Sequence, residues 1–378
     1  MTGGEGHRAL AVTRLTLSDF RCYAHLRLET DARSVVLTGP NGAGKTNILE
    51  ALSFLAPGRG LRRARLAEAT RRQVAETGGW AVAARLEGPA GGWDIGTGRL
   101  AGSERRVVRI DGRSGVGQAD LAQVASVLWL TPAMDRLFGE GASGRRRFLD
   151  RLVLGLDPAH GPRAVAYEHA MRERNRLMAT DRADGAWLDA LEETMARQGV
   201  AMIRARQNLV STLNDASGDG IGSFPAARLT VTGDDPAWTG ADDGRAIAGL
   251  RDALAAARRI DAERGAAGIG PHRSDLVVHH AGKGLPAMAC STGEQKAVLV
   301  AIILGQARVQ AALRGFAPLL LLDEISAHLD RERRAALFDE LGALSAQSWM
   351  TGTDGALFAE LGERGQYFQV EEAVVTAA

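Results

Sequence analysis

Residues 39–46 constrain the fold of this 378-residue chain more than any other segment. They read GPNGAGKT, which fits the P-loop pattern G-x-x-x-x-G-K-[ST], and they lie between a short apolar run (34–38) and a helical pattern (46–55). In such a loop, backbone N–H groups surround phosphate oxygens at the helix N-terminus, the lysine reaches the β- and γ-phosphates, and the last hydroxyl ligates Mg²⁺. An accidental glycine-rich turn is the alternative. We predict that ATP and Mg²⁺ bind at Gly39, Pro40, Asn41, Gly42, Ala43, Gly44, Lys45 and Thr46.

A second motif supplies two carboxylates. The apolar run Leu319–Leu322 is followed by Asp323 and Glu324, which predicts both acids at the C-terminal end of a buried strand. Asp323 is predicted to hold Mg²⁺ together with Thr46, and Glu324 to polarise the attacking water as general base. Lys45 and Glu324 are therefore the predicted catalytic residues. The alternative is a core strand capped by solvated acids.

A third motif precedes the helical pattern 293–313. Ser291 followed three residues later by Glu294 is a capping box, which would begin any helix. The functional alternative is an anion site for a γ-phosphate at the helix N-terminus. The motif resembles one that, in ABC-type ATPases, lies between the P-loop and the Asp-Glu strand and acts on ATP bound to the opposite subunit. The loop 326–330 similarly resembles the segment through which ABC subunits touch. The residues that this resemblance assigns to the signature, acting in trans, are Ser291, Gly293, Glu294, Gln295 and Lys296.

Strand-like and helix-like patterns alternate along the chain. Strands are predicted at 11–20, around Leu26 and Leu28, and at 80–86, 105–110, 127–130, 276–279, 319–322 and near Trp349. Between about 145 and 264 the pattern is helical, with one strand at 228–232. The expected fold is therefore α/β, a P-loop ABC-type ATPase head with a parallel sheet and an antiparallel β-subdomain, interrupted by a mostly helical insertion. The expected boundaries are 1–137 and 268–378 for the head and 138–267 for the insertion.

Further stretches carry a closer family resemblance. They are LTLSDFRCY at 15–23, RRRFLD at 145–150, a Tyr-Glu and RERNRL helix within 167–177, and GPHRSDL at 270–276. In that order they resemble the bacterial RecF recombination-repair ATPases, nearly from end to end. The resemblance implies a head like that of the structural-maintenance-of-chromosomes proteins, without their long coiled coil. It also implies an ATP-dependent homodimer on double-stranded DNA and gap junctions, which acts with RecO and RecR to help load RecA at single-strand gaps.

Three positions depart from the patterns of these families. ABC enzymes usually carry a histidine after the strand that follows the Asp-Glu strand, whereas 349–354 reads WMTGTD. No glutamine occurs in 128–135, where a residue that senses Mg²⁺ and water is expected, and Ser274 stands where the family often has an acid. The hypothesis is a weak, DNA-stimulated ATPase whose slow turnover times its release from DNA. One alternative is a nucleotide-switched DNA-binding scaffold with negligible turnover. The other is a transporter ATP-binding subunit, which the long helical insertion disfavours.

Arginine content alone does not identify a DNA-binding surface. The basic residues are 43 arginines and three lysines, a skew that codon bias explains, and the formal net charge is only +1, so a DNA surface must be a local patch. The densest cluster follows the P-loop helix, and its candidate phosphate contacts, without sequence specificity, are Arg59, Arg62, Arg63, Arg65, Arg71 and Arg72. A second cluster, 145–147, either contacts DNA or pins the start of the insertion. A solvated face is the alternative for both clusters.

Composition excludes several other classes of protein. Cys22 and Cys290 lack metal-ligand spacing and are too few for a disulfide framework. The apolar stretch 297–305 is too short to span a bilayer, and the N-terminus lacks the apolar core of a signal peptide. We therefore expect a cytoplasmic protein without membrane contact.

Overall fold

The computed structural model describes residues 10–74, 78–89, 91–179, 184–218, 220–240, 242–325 and 329–378. The strands of these residues are β1 (Ala11–Phe20), β2 (Tyr23–Glu29), β3 (Ser34–Thr38), β4 (Trp80–Gly88), β5 (Gly91–Arg99), β6 (Arg106–Ile110), β7 (Val127–Leu130), β8 (Gly220–Ile221), β9 (Phe224–Pro225), β10 (Ala227–Thr232), β11 (Asp275–His280), β12 (Leu285–Pro286), β13 (Leu319–Leu322), β14 (Ser348–Gly352), β15 (Gly365–Glu371) and β16 (Val374–Ala377). The α-helices are α1 (Lys45–Ser53), α2 (Gln118–Val124), α3 (Ala142–Leu154), α4 (His160–Met178), α5 (Gly185–Ser217), α6 (Pro236–Thr239), α7 (Asp243–Arg264), α8 (Thr292–Arg314) and α9 (Arg331–Ala343).

Short apolar segments form a mainly parallel sheet with the strand order β16-β15-β3-β14-β13-β7. Every residue of β3, β7, β13 and β14 is buried. Burial on both faces explains why β7, β13 and the centre of β3 read as continuous apolar runs rather than alternations. Thr38 pairs with Gly352, and Leu322 pairs with Met350. The C-terminal ends of β3, β14 and β13 therefore lie side by side, and the sheet confirms the predicted α/β class.

A second sheet has the order β2-β1-β4-β5-β6 and is antiparallel throughout, as predicted for the β-subdomain. The sequence does not predict β5, because its four glycines weaken strand propensity. Pairing with β4 from Trp80 to Gly88 decides its conformation. Phe20, Phe54 and Trp80 pack with ring centroids 5.0 to 6.0 Å apart, which joins this sheet to the end of α1.

The sequence pattern also fails to predict the last two strands. β15 pairs in parallel with β3 and antiparallel with β16, although only Gly365 and Val370 of β15 are buried. Backbone pairing with the buried β3, rather than apolar patterning, therefore places this segment in the sheet.

Helix α8 is buried along most of its length, from Lys296 to Gln310. Its length and composition would allow a membrane span, but 78% of its most apolar 18-residue window is buried inside the protein. That burial is the property of a core helix packed against its own domain.

Contacts divide the chain into two compact units. The first comprises Met1–Asp135, Ala216–Ala226 and Ser291–Ala378, and the second comprises Arg136–Asp215 and Ala227–Cys290. This division differs from the expected insertion, 138–267, because β10 pairs with β11 from Ala227 opposite His280 to Thr232 opposite Asp275. That antiparallel ladder ties the segment around β11 to the second unit.

Buried charged side chains hold the second unit together. Arg174 is fully buried, and its guanidinium lies 2.8 Å from carboxylate oxygens of Glu192 and Asp261. Arg206 is 2% exposed and pairs with Asp150 at 2.8 Å. Removing one member of such a pair leaves an uncompensated charge in a low dielectric, so each of these buried charges requires its partner.

Motif residues of the second unit have structural partners. Arg145 binds the Asp275 carboxylate at 2.7 Å. His272 Nε2 donates to the carbonyl of Ala267 at 2.9 Å, so Nδ1 accepts from the Tyr167 hydroxyl at 2.7 Å. Burial lowers the pKa of the His272 ring, which keeps it in the neutral form that this arrangement needs. Of these contacts, the Arg145–Asp275 ion pair favours the structural alternative for Arg145 in the 145–147 cluster.

Candidate nucleotide site

The P-loop connects the C-terminal end of β3 to the N-terminus of α1. Gly39 (φ 144°) and Gly44 (φ 117°) have backbone conformations that L side chains rarely adopt. A Cβ atom would lie 2.0 Å from the carbonyl oxygen of Val370 at the first position, and 2.6 Å from the Tyr23 hydroxyl at the second. Both positions therefore require glycine.

Lys45 lies folded over its own loop. It is 5% exposed, and its Nζ donates to the carbonyl oxygens of Gly39 at 2.6 Å and Pro40 at 2.8 Å. Burial lowers the pKa of the ammonium group, and the charges of Glu324 and Asp323 oppose that shift. The lysine is thus held on the P-loop, within electrostatic reach of the two predicted acids.

The predicted metal ligands are adjacent. Thr46 Oγ1 donates to Asp323 Oδ1 at 2.9 Å and lies 3.2 Å from Oδ2. Hydroxyl and carboxylate oxygens are ligands that suit Mg²⁺. The residues that the structure describes contain no group of three or more His, Cys, Asp or Glu side chains able to hold a metal ion. Mg²⁺ fits this pair because in nucleotide sites it takes few protein ligands and completes its shell with phosphate oxygens and water.

Glu324 follows Asp323 at the end of β13 and is half-buried. Its backbone is left-handed, with φ 50°, and its N–H donates to the Thr351 hydroxyl at 2.9 Å. The same hydroxyl donates to Asp323 Oδ1 at 2.8 Å. The sequence pattern predicts a strand near Trp349 and shows the missing histidine, but it assigned no role to this threonine. The available signal was a hydroxyl residue in the strand that follows the acid-bearing one along the chain.

The first turn of α8 is exposed at Ser291 and Gly293 and half-buried at Glu294 and Gln295. The Ser291 N–H donates to Glu294 Oε2 at 3.0 Å, which is the contact that the capping-box alternative requires. Ser291 and Gly293 are exposed residues, as the anion-site interpretation requires. Of the predicted contact loop 326–330, residues 326–328 lie outside the described residues.

Lys296 lies inside the first unit. It is 3% exposed, and its Nζ is 3.5 Å from Asp135 Oδ2. Burial lowers the pKa of its ammonium group, while Asp135 and Glu324 oppose that shift. This position differs from the expected contact with a second subunit, because the ion pair turns the side chain toward acids of its own unit.

The six candidate DNA-binding arginines do not share one environment. Arg62 donates to Glu50 at 3.0 Å, and Arg71 donates to Asp19 at 2.9 Å, so both are engaged within their own unit. Arg63 is exposed and has a left-handed backbone with φ 55°. Three exposed members form no ion pair within the described part of the chain, and we call them the arginine trio: Arg59, Arg65 and Arg72.

Sequence reasoning also missed Glu50, which is fully buried in α1. Arg21 binds its two carboxylate oxygens at 2.5 and 2.8 Å, and Arg62 adds the third contact. These ion pairs connect the P-loop helix to the turn after β1 and to the arginine cluster. A glutamate in a short helix carries no sequence signal for burial, since such residues are usually solvated.

Comparison with known proteins finds similarity along almost the whole chain. The RecF/RecN/SMC N terminal domain family model matches residues 11–374. The DNA replication and repair protein RecF of Rhizobium rhizogenes is 50% identical over 375 residues, which cover 97% of this chain and 98% of that protein. The protein of the same description from Rhizobium etli is 48% identical over 376 residues, with coverage of 97% and 98%.

A solved structure supports the fold independently. It is described as the recombination mediator protein RecF-ATPrS in the RecFOR pathway, and it superposes with a TM-score of 0.86 at 20% identity, covering 98% of this chain and 99% of its own. The ABC-type head with an interrupting helical segment is thus the architecture of both chains. Together with the matched family and the two close relatives, this similarity confirms the resemblance seen in the motifs: the chain belongs to the RecF family of DNA replication and repair proteins.

Proposed function

We propose that this chain binds DNA in an ATP-dependent manner during recombinational repair and replication, and that slow ATP hydrolysis releases it. The convergence of Lys45, Thr46, Asp323 and Glu324 at neighbouring strand ends carries the proposal. Relatives about half identical to this chain are named DNA replication and repair proteins, and a solved relative is described with a nucleotide, ATPrS.

In the proposed reaction, P-loop N–H groups and Lys45 bind the β- and γ-phosphates and stabilise the charge that develops on the transferred group. Thr46 and Asp323 would hold Mg²⁺, which supplies further charge neutralisation when bound. Glu324 accepts a proton from water as the water oxygen bonds to the γ-phosphorus and the bond to the β–γ bridging oxygen breaks. The products are ADP and phosphate. The lack of a histidine in 349–354 and of a glutamine in 128–135 supports slow turnover, because these segments supply no histidine to contact the γ-phosphate and no glutamine to sense Mg²⁺ and water.

We also infer that ATP joins two copies into a homodimer. Ser291 and Gly293 are exposed at the N-terminus of the 23-residue helix α8, where the helix dipole favours an anion. The γ-phosphate bound to the second copy is the proposed anion. Lys296, buried beside Asp135, takes no part in this contact.

The proposed partners follow from family resemblance. They are double-stranded DNA and gap junctions bound without sequence specificity, together with RecO and RecR, and the proposed outcome is RecA loading in the cytoplasm. The arginine trio would supply phosphate contacts, and DNA binding would stimulate the weak ATPase.

The test is DNA binding by the wild-type chain and by Glu324→Gln with ATP, with ADP and without nucleotide. Loss of the base should slow ATP turnover by about 100-fold or more, so the variant should form long-lived, ATP-dependent dimers on DNA. Glu332→Gln, which changes an exposed acid in α9, is the matched control and should behave as wild type. Binding that ignores the nucleotide would contradict the proposal. Equal lifetimes of wild-type and Glu324→Gln complexes would favour the scaffold instead.

A further inference from the structure

Thr351 is a buried residue whose hydroxyl makes both of its hydrogen bonds to the Asp323–Glu324 pair. It lies in β14, between β3 and β13, and is 0% exposed. Its Oγ1 is 2.8 Å from Asp323 Oδ1 and 2.9 Å from the backbone nitrogen of Glu324. The pairing of β13 with β14 brings this hydroxyl to the acids, which are 28 and 27 residues away in sequence.

Chemistry fixes the direction of both hydrogen bonds. An amide N–H only donates, so the Thr351 oxygen accepts from Glu324. The single hydroxyl proton is therefore available for donation, and the Asp323 carboxylate accepts it. One hydroxyl group thus links the backbone of the predicted general base to the side chain of the predicted metal ligand.

The hydrogen bond from the Glu324 N–H to Thr351 lies at a residue with an unfavourable backbone conformation. Glu324 has φ 50°, a left-handed conformation that residues with a Cβ keep only where surrounding contacts hold them. The N–H of that same residue is the group that Thr351 binds. The hydroxyl therefore helps to set the direction in which the Glu324 side chain leaves the strand end.

Asp323 is held from two different elements, a helix and a strand. Thr46, at the start of α1, and Thr351, in β14, both donate to Oδ1, whereas Oδ2 is 3.2 Å from Thr46. Two donors on one oxygen restrict rotation of the carboxylate and leave the other oxygen with the longer contact.

We propose that Thr351 is a positioning residue for ATP hydrolysis, which orients the Asp323 carboxylate for Mg²⁺ and, through the Glu324 backbone, the Glu324 carboxylate for the attacking water. This inference rests on the proposed ATPase function. Removing a group that hydrogen-bonds to a metal ligand typically lowers metal affinity or activity by about 10–100-fold.

A purely structural role must be separated from positioning, because every buried hydroxyl needs a partner. The chain offers a matched control in the same strand. Ser348 is 0% exposed, and its hydroxyl is hydrogen-bonded to that of Ser34 at 2.7 Å, at the end of β14 away from the acids. Ser348→Ala removes a buried hydroxyl without touching Asp323 or Glu324.

The experiment compares Thr351→Val, Thr351→Ser and Ser348→Ala in the full chain. It measures ATP turnover, the thermal midpoint, and the Mg²⁺ concentration that gives half-maximal binding of a fluorescent ATP analogue. Thr351→Val keeps the shape but loses the hydroxyl, and it should lower turnover by about 10–100-fold and raise the Mg²⁺ requirement by about tenfold or more. Thr351→Ser should stay close to wild type in both. Ser348→Ala should lower only the thermal midpoint.

Wild-type turnover and Mg²⁺ response in Thr351→Val would overturn the inference while leaving the proposed ATPase intact. Equal losses in Thr351→Val and Ser348→Ala would also overturn it, in favour of a structural role. A wild-type chain that binds no ATP would end the proposed function and this inference together. If Thr351→Val does not fold, Thr351→Ala takes its place. The Mg²⁺ dependence of ATP-analogue binding then distinguishes a positioning role from a structural one even if turnover is too slow to compare.

Discussion

Breaking the ion pair between Lys296 and Asp135 should destabilise the first unit through its core rather than through a dimer contact. The side chains are 4% and 28% exposed, with the nearest charged atoms 3.5 Å apart. Asp135 Oδ1 has no hydrogen-bond partner among the described residues, so the lysine is the main compensation for this carboxylate. We therefore expect Lys296→Met to lower the free energy of unfolding even without nucleotide, DNA or a second copy.

The magnitude follows from the burial of each charge. Breaking a fully buried pair costs roughly 3–5 kcal/mol, but water partly reaches Asp135, so we expect about 2 kcal/mol for Lys296→Met. Asp135→Asn leaves the more deeply buried ammonium with only the more distant charge of Glu324, and we expect about 3 kcal/mol. The double variant should cost less than either single change, because the second change removes the charge that the first one leaves unpaired.

Urea unfolding of the full chain, followed by circular dichroism, measures these three free energies. Lys283→Met is the control, since this lysine is exposed and its replacement should change stability by less than about 0.5 kcal/mol. A cost below about 0.5 kcal/mol for Lys296→Met, with additive effects in the double variant, would refute the reasoning. That result, combined with loss of ATP-dependent dimers, would restore the role of Lys296 in trans.

Three further predictions concern other parts of the chain. Charge reversal of the arginine trio should flatten the slope of log affinity for DNA against log salt by up to about 3, and an unchanged slope in a salt titration would exclude the trio as a DNA contact. Arg62→Gln, which removes one ion-pair partner of Glu50, should mainly lower stability. Burial raises the pKa of Asp234 from 3.8 to about 6, so the folded state holds its proton more tightly than the unfolded state and stability should fall as pH rises between these values. Asp234→Asn should remove that dependence and stabilise the protein at pH 7 by on the order of 1 kcal/mol once solvent screening is allowed for, and identical wild-type and variant pH curves in thermal unfolding would contradict this. Gly44→Ala should weaken ATP binding by about tenfold or more in an equilibrium titration. Alanine is strained at φ 117°, and its Cβ would lie 2.6 Å from the Tyr23 hydroxyl, so the loop must move. Wild-type affinity would show that the loop accommodates the Cβ without cost.

The sequence by itself determined the nucleotide motifs and the class of fold. Residues 39–46 and the acids after β13 are recognisable because each motif works through contiguous residues. A run of glycines sets local backbone conformation, and an apolar run sets a buried strand. Periodicity likewise predicts β1, β4 and most helices, since alternation and helical spacing follow from backbone geometry alone. It does not predict β5 and β15, where pairing with neighbouring strands outweighs weak local patterns.

Only the tertiary structure decided which partner each polar side chain has. It turned Lys296 inward to Asp135, buried Glu50 between two arginines, and set Thr351 against both acids. Thr46 and Asp323 meet at 2.9 Å across 277 residues of sequence. Ion pairs and hydrogen bonds of this kind depend on strand order and register, which are properties of the whole folded chain. A linear pattern identifies the groups that can act, but the packing of the sheet determines which of them come within bonding distance.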